Sequence, residues 1–147
     1  MLIIYPKDYP LRDPTNEAKY GIDLQQSIVK ARKNNRQLFK NHQIYISTAA
    51  NGHVAVQRIA EINGGETRIV SHTTKPRVKI LRSDYLKSVE NRVLVCTKDT
   101  DDKQLRAKFK EEVEAEGLKC QIYSSEWIMK CVMRQEIVED NEFAIPV

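Results

Sequence analysis

The side chains able to act chemically on a ligand are few and scattered. His42, His53 and His72, with Cys96, Cys120 and Cys131, are the only imidazole and thiol donors. They stand in neither CxxC nor paired-histidine spacing, the patterns that fold a chain around zinc, so no metal and no cofactor is expected. Adjacent carboxylates include Asp101-Asp102 and Glu111-Glu112. Acid–base catalysis needs such pairs buried and pushed apart in pKa. These two pairs fall in one helix-patterned stretch and are read as solvated. No GxxxxGK[ST], GxGxxG or GxSxG occurs, so the residues point to a binding module and not to an enzyme.

Charge is the next candidate for chemistry. Lys30, Arg32, Lys33, Arg36 and Lys40 form one acid-free run, and Arg68, Lys75, Arg77, Lys79 and Arg82 a second. Glu136, Glu139, Asp140 and Glu142 reverse the sign near the C-terminus, within a net charge of +4. Segregated charge of this kind suits a polyanionic or phosphorylated partner, and equally a solvated basic face. The 147 residues suffice for one domain with its own core. Apolar runs such as Ile44 to Ile46 are too short to span a bilayer, and Met1 to Tyr5 meets Pro6, Lys7 and Asp8 without forming a leader. Neither secretion nor membrane insertion is expected. The cysteines read as reduced core thiols, which favours the cytosol or the nucleus.

The elements that must position these groups alternate in type. Pro6, Pro10 and Pro14 make the first twenty residues an ordered strap or linker. Asp23 offers an N-cap with Gln26 completing a capping box, and Leu24, Ile28, Val29 and Ala31 give a helix to about Asn34. Gln43 to Ser47 reads as a buried strand. Val54, Val56, Ile59, Ala60 and Ile62 recur at helical spacing until Gly64-Gly65 ends that helix. Thr67 to Ser71 is a second strand, followed by a polar basic stretch from His72 to Asn91 with a short strand at Val78 to Leu81. Arg92 to Thr97 is the third strand. A helix from Asp99 to about Glu116 carries Leu105, Phe109 and Val113, and Gly117 stops it. Lys119 to Tyr123 is the fourth strand, and Ser124 or Ser125 caps a last helix. Such alternation predicts an α/β fold: a four-stranded parallel sheet flanked by three helices and preceded by an extra helix and linker.

Gly64-Gly65 after the first strand-loop-helix, Val93-Leu94-Val95 after a variable loop, and Glu126-Trp127-Ile128-Met129-Lys130-Cys131 near the end together resemble a BRCT domain. The resemblance covers 38–147, with 1–37 as an inter-repeat linker and helix. Gly64, Gly65, Trp127 and Cys131 are its structural residues. Tyr9 to Asp13, Tyr20 to Ile28 and the tail Phe143 to Val147 are similar to the linker and terminus of the last repeat in C-terminal tandem BRCT pairs. The likeness is to nuclear scaffolds such as the Pax-transactivation-domain-interacting protein, the mediator of DNA damage checkpoint, and the fungal Brc and regulator-of-Ty-transposition proteins.

That resemblance implies a non-enzymatic interaction module of a DNA-damage-response scaffold in the nucleus, the second half of a phosphopeptide reader. Its implied phosphate ligands are Ser47, Thr48 and Lys108, or Lys110 if the alignment slips, although Ser47-Thr48-Ala49 lacks the family's glycine. Its implied peptide-groove residues are Asn51, Ser125 and Met129. The implied partners are an adjacent BRCT repeat of the same parent protein and a phosphorylated nuclear protein or histone tail. Two alternatives stay open: phosphate-independent association, including with a second copy, and DNA binding through the basic patch Arg68, Lys75, Arg77, Lys79 and Arg82. Apart from Phe39, aromatics that could stack on bases are missing from the basic runs.

Overall fold

The structure, a computed structural model, describes residues 13–71, 79–81, 90–139 and 142–147. Two helices, α1 (Pro14–Tyr20) and α2 (Leu24–Asn34), precede β1 (His42–Ser47), α3 (His53–Ile62), β2 (Glu66–Val70) and β3 (Asn91–Val95). A single 3-10 turn (Thr100–Asp102) leads into α4 (Lys103–Ala115), then β4 (Gln121–Tyr123) and α5 (Ser125–Arg134).

Helix α1 corrects the expectation of a strap up to residue 20. Pro14 stands at the first helical position, where no N–H is needed, so it starts a helix instead of breaking one. Asp13 caps that helix by accepting from the Asn16 N–H at 3.3 Å, and Gly21 ends it at φ 63°. Buried Glu17 accepts the Leu24 N–H at 3.1 Å and so joins α1 to α2. Asp23 caps α2 as expected, accepting from Gln25 and Gln26. The expected strand at Val78 to Leu81 is also corrected: Ile80 and Leu81 form a bend, and Val78 lies outside the described residues. Their N–H groups are spent on the Glu112 carboxylate, at 3.0 to 3.2 Å, and not on a neighbouring strand.

All four strands are parallel, in the order β2-β1-β3-β4. Leaving β1 the chain moves outward to β2, and leaving β3 it moves the opposite way to β4. Right-handed crossovers then require α3 and α4 to cover opposite faces. The two cores agree. Ile44, Ile46, Val93 and Val95 face α3 and α5 with Phe39, Val56, Ala60, Trp127 and Ile128. Tyr45, Leu94 and Ile122 face α4 with Leu105, Phe109 and Val113, and Ile80 and Leu81 complete that side.

The glycine pair and the Trp–Cys pair fasten the α3/α5 face. Gly64 has φ +88°, and a Cβ there would stand 2.8 Å from the Arg36 carbonyl. Gly65 has no such φ; a Cβ on it would press on Ala60 O at 3.0 Å and on Ile44 and Phe39 at 3.3 Å. One glycine therefore serves conformation and close approach together, the other close approach alone. Trp127, 1% exposed, stacks on Tyr123 with centroids 4.4 Å apart and donates from Nε1 to the Val138 carbonyl at 2.7 Å. The Val138 N–H in turn donates to Cys131 Sγ at 3.4 Å. One helical turn apart, the two side chains hold both backbone groups of a single residue.

Candidate functional site

Parallel strands put all their C-terminal ends at one edge of the sheet. Between β1 and β3 the chain departs in opposite directions, which makes that edge the crevice where open α/β sheets take ligands. Ser47 ends β1 there, Thr97 follows β3, and Asp102 ends the turn that opens α4.

These three residues bond to one another. Ser47 Oγ donates to Asp102 Oδ1 at 2.8 Å, and the Thr97 N–H and Oγ1 donate to Oδ2 at 2.8 and 2.9 Å. Asp102 is fully buried, which corrects its reading as one of a solvated pair. Glu112 corrects the other pair, because it is half-buried and holds Ile80 and Leu81. The backbone beyond β1 is equally occupied. The N–H of Thr48 donates to Val70 O at 2.9 Å, that of Ala49 to Ser47 Oγ at 3.1 Å, and that of Ala50 to Ser47 O at 3.0 Å.

The expected phosphate ligands therefore meet a filled site. Ser47 is buried with its hydroxyl committed to a carboxylate, a geometry opposed to its expected role as a phosphate donor. Thr48 is half-buried beside it, and Lys108 is half-buried on α4 and engaged with neighbours of its own. The α4 cation whose bonds reach the end of β3 is Arg106, from Nη1 to Thr97 O at 2.6 Å and Asp99 O at 3.1 Å. Arg106 is 7% exposed, and its Nε has no hydrogen-bond partner. Thr97 and Arg106 are not among the residues the sequence singles out, and Asp102 is there only as half of a solvated acid pair. The visible signal was a polar residue directly after a buried strand with an acid just before the next helix, a pattern that also fits an ordinary helix cap.

Cys96 adjoins this network. Burial pushes its thiol up to about 12, Asp102 adds to the shift and Arg106 opposes it, so the group stays a neutral thiol. At the opposite end of the sheet, burial lowers the pKa of His42, against the upward pull of the Lys40 carbonyl and Glu90. No His, Cys, Asp and Glu cluster among the described residues could hold a metal ion. No described helix is long and apolar enough to cross a membrane.

The expected groove residues lie on the other face of the same edge. Asn51 is exposed in the turn before α3 and does not cap that helix, whose N-cap is Gly52 at φ 65°. Ser125 opens α5 and Met129 sits one turn on, both half-buried. Since α3 follows β1 and α5 follows β4, they leave from strands that flank β3 and lie about 10 Å apart at two strand spacings. Of the expected basic patch, Arg68 is half-buried with Nε buried and without a hydrogen-bond partner, and Lys79 is exposed. Lys75, Arg77 and Arg82 lie outside the described residues.

No curated protein matches the chain. A family model for the BRCT domain matches residues 37–144, from the turn before β1 to Ala144, which makes an isolated bridge to Tyr123 of β4. That span takes in the whole sheet and α3 to α5, so the chain belongs to the BRCT domain family, whose members are generally non-enzymatic protein-interaction modules, often in the DNA-damage response.

Proposed function

We propose that the chain is the C-terminal half of a tandem BRCT phosphopeptide reader in a nuclear DNA-damage-response scaffold. In this reading the preceding repeat holds the phosphate. This repeat supplies a wall for the residues beyond it through Asn51, Ser125 and Met129, and the bound partner is a phosphorylated nuclear protein or histone tail. One observation carries the division of labour: the Ser47 and Thr97 hydroxyls and the N–H groups of Thr48, Ala49, Ala50 and Thr97 are all consumed inside the chain. A phosphate would find no open donor among them. Serine at position 125, where some pairs carry arginine, fits contact with an uncharged peptide segment better than capture of a carboxylate.

Calorimetric titration of phosphorylated and unphosphorylated tail peptides decides this, run on the chain alone and on the protein carrying both repeats. The expected result is phosphate-dependent binding by the two-repeat protein and weak, phosphate-indifferent binding by the chain alone. Equal affinities for both peptides in both proteins would refute the reading.

Val54 and Ile62 on α3, both more than half exposed, with Ile69 on the edge strand β2, favour a second reading: phosphate-independent association, with another protein or a second copy. Light scattering over a concentration series discriminates, and a strict monomer counts against the self-associating form.

A further inference from the structure

A fully buried carboxylate at the end of a sheet needs a reason. Leaving water costs an ionised group several kcal/mol unless donors replace its hydration. Asp102 is met by three donors from two strand ends: the Ser47 hydroxyl, the Thr97 hydroxyl and the Thr97 N–H. Ser47 Oγ already accepts from Ala49, and the Thr97 N–H can only donate, so the set presents hydrogens inward. Arg106 is a buried cation at the same strand end, tied to the Thr97 and Asp99 carbonyls with its Nε unpartnered. Donors from two separate strand ends, converging at the switch point of a parallel sheet, make an oxyanion cradle.

We infer that this cradle is a latent oxyanion site whose occupant is the chain's own Asp102. The carboxylate is an internal ligand. It satisfies the donors of Ser47 and Thr97, and its charge repels a phosphate monoester from the crevice. Asp102 is thus the specificity-determining residue that closes this repeat to phosphate and opens it when removed. The inference rests on the reading that the phosphate is held by the neighbouring repeat.

The test uses inorganic phosphate and the full chain alone, so its failure is separable from failure of the peptide titration. Thermal unfolding of the wild type, Asp102→Gly and Asp102→Ala is followed in phosphate and in chloride at matched ionic strength. Asp102 has φ −97°, so glycine or alanine fits its backbone without strain. Both variants should melt lower than the wild type in chloride and gain about 5 °C, saturably, in about 20 mM phosphate. The wild type should show no difference between the salts, and adding Ser47→Ala to Asp102→Gly should abolish the gain. A variant unfolded in chloride that refolds in phosphate gives equal support. Variants indifferent to phosphate, variants unfolded in both salts, or a wild type that gains as much would overturn the inference.

Discussion

The two faces of the sheet are built on different principles. Toward α3 and α5 the centre is apolar and aromatic, with Trp127 packed against both Phe39 and Tyr123 and clasping Val138, and the polar bonds of Lys130 to Glu142 and of Gln135 to Asn63 lie around it. Toward α4 the apolar centre of Tyr45, Leu94 and Phe109 is bracketed by buried polar groups at both ends of the strands. Ser47, Asp102 and Arg106 stand at the C-terminal end, and Gln43 and Arg92 at the other. Arg92 donates from Nε to Glu116 at 2.8 Å and from Nη1 to Gln43 and to the Tyr45 hydroxyl. Gln43 passes the chain on to Glu66 at 3.2 Å. One face gains stability from area removed from water. The other adds to its apolar burial a set of satisfied polar pairs, which contribute little in sum but cost heavily when broken singly.

The sharpest way to break that contrast is Trp127→Ala, which empties the centre of the apolar face and releases Val138. It should lower unfolding stability by ~4 kcal/mol in denaturant titration, and a loss under ~1 kcal/mol would show that the face does not depend on the ring. Arg92→Ala should cost ~3 kcal/mol, because Gln43, Tyr45 and Glu116 each lose a partner. Replacing Arg92 by Met together with Glu116 by Gln should recover part of that loss, and strict additivity would deny that the polar end acts as a unit.

Gly64→Ala should cost ~2 kcal/mol through its positive φ and the Arg36 carbonyl, tested in the same titrations against a milder Gly65→Ala. The smallest effect is on pH. The lowered pKa of His42 means the folded chain binds fewer protons than the unfolded one below its ordinary value of 6.5. Its contribution therefore turns unfavourable as pH falls through that range. Glu136, held low chiefly by its hydrogen bond from Lys30, adds stability above its ordinary 4.5 that is lost in stronger acid. Melting temperature should accordingly fall from pH 7 to 4, with His42→Gln flattening only the upper part. A rise on acidification would contradict both signs.

The same contrast explains how much could be read in advance. Alternation of β-branched runs with helical spacing makes the sheet and α3 to α5 legible, because apolar periodicity is the signal that burial leaves in a sequence, whereas the Trp127–Cys131 pair is legible through the family resemblance. Helix α1 was hidden because Pro14 carries the same letter whether it breaks a helix or begins one. The candidate site was legible only in outline. Asn51, Ser125 and Met129 follow strands that end at one sheet edge, whereas the commitment of Ser47 to Asp102 is invisible because nothing in the letters shows which way a hydroxyl turns. Asp102 and Glu112 were read as solvated for a related reason. An acid on a helix is ordinarily outside, and donors from off the helix bring these two in: Thr97 nearby, Ser47 and Ile80 far along the chain.

Trp127 is the sole tryptophan of the chain, and its indole N–H is bound to the Val138 carbonyl. Intrinsic fluorescence excited in the indole band therefore comes from one place, where the last helix meets the sheet and the segment after it. Its emission wavelength is a built-in gauge of whether that segment is seated. A ligand or neighbouring repeat that disturbs the closing helix would announce itself by a red shift without any attached dye.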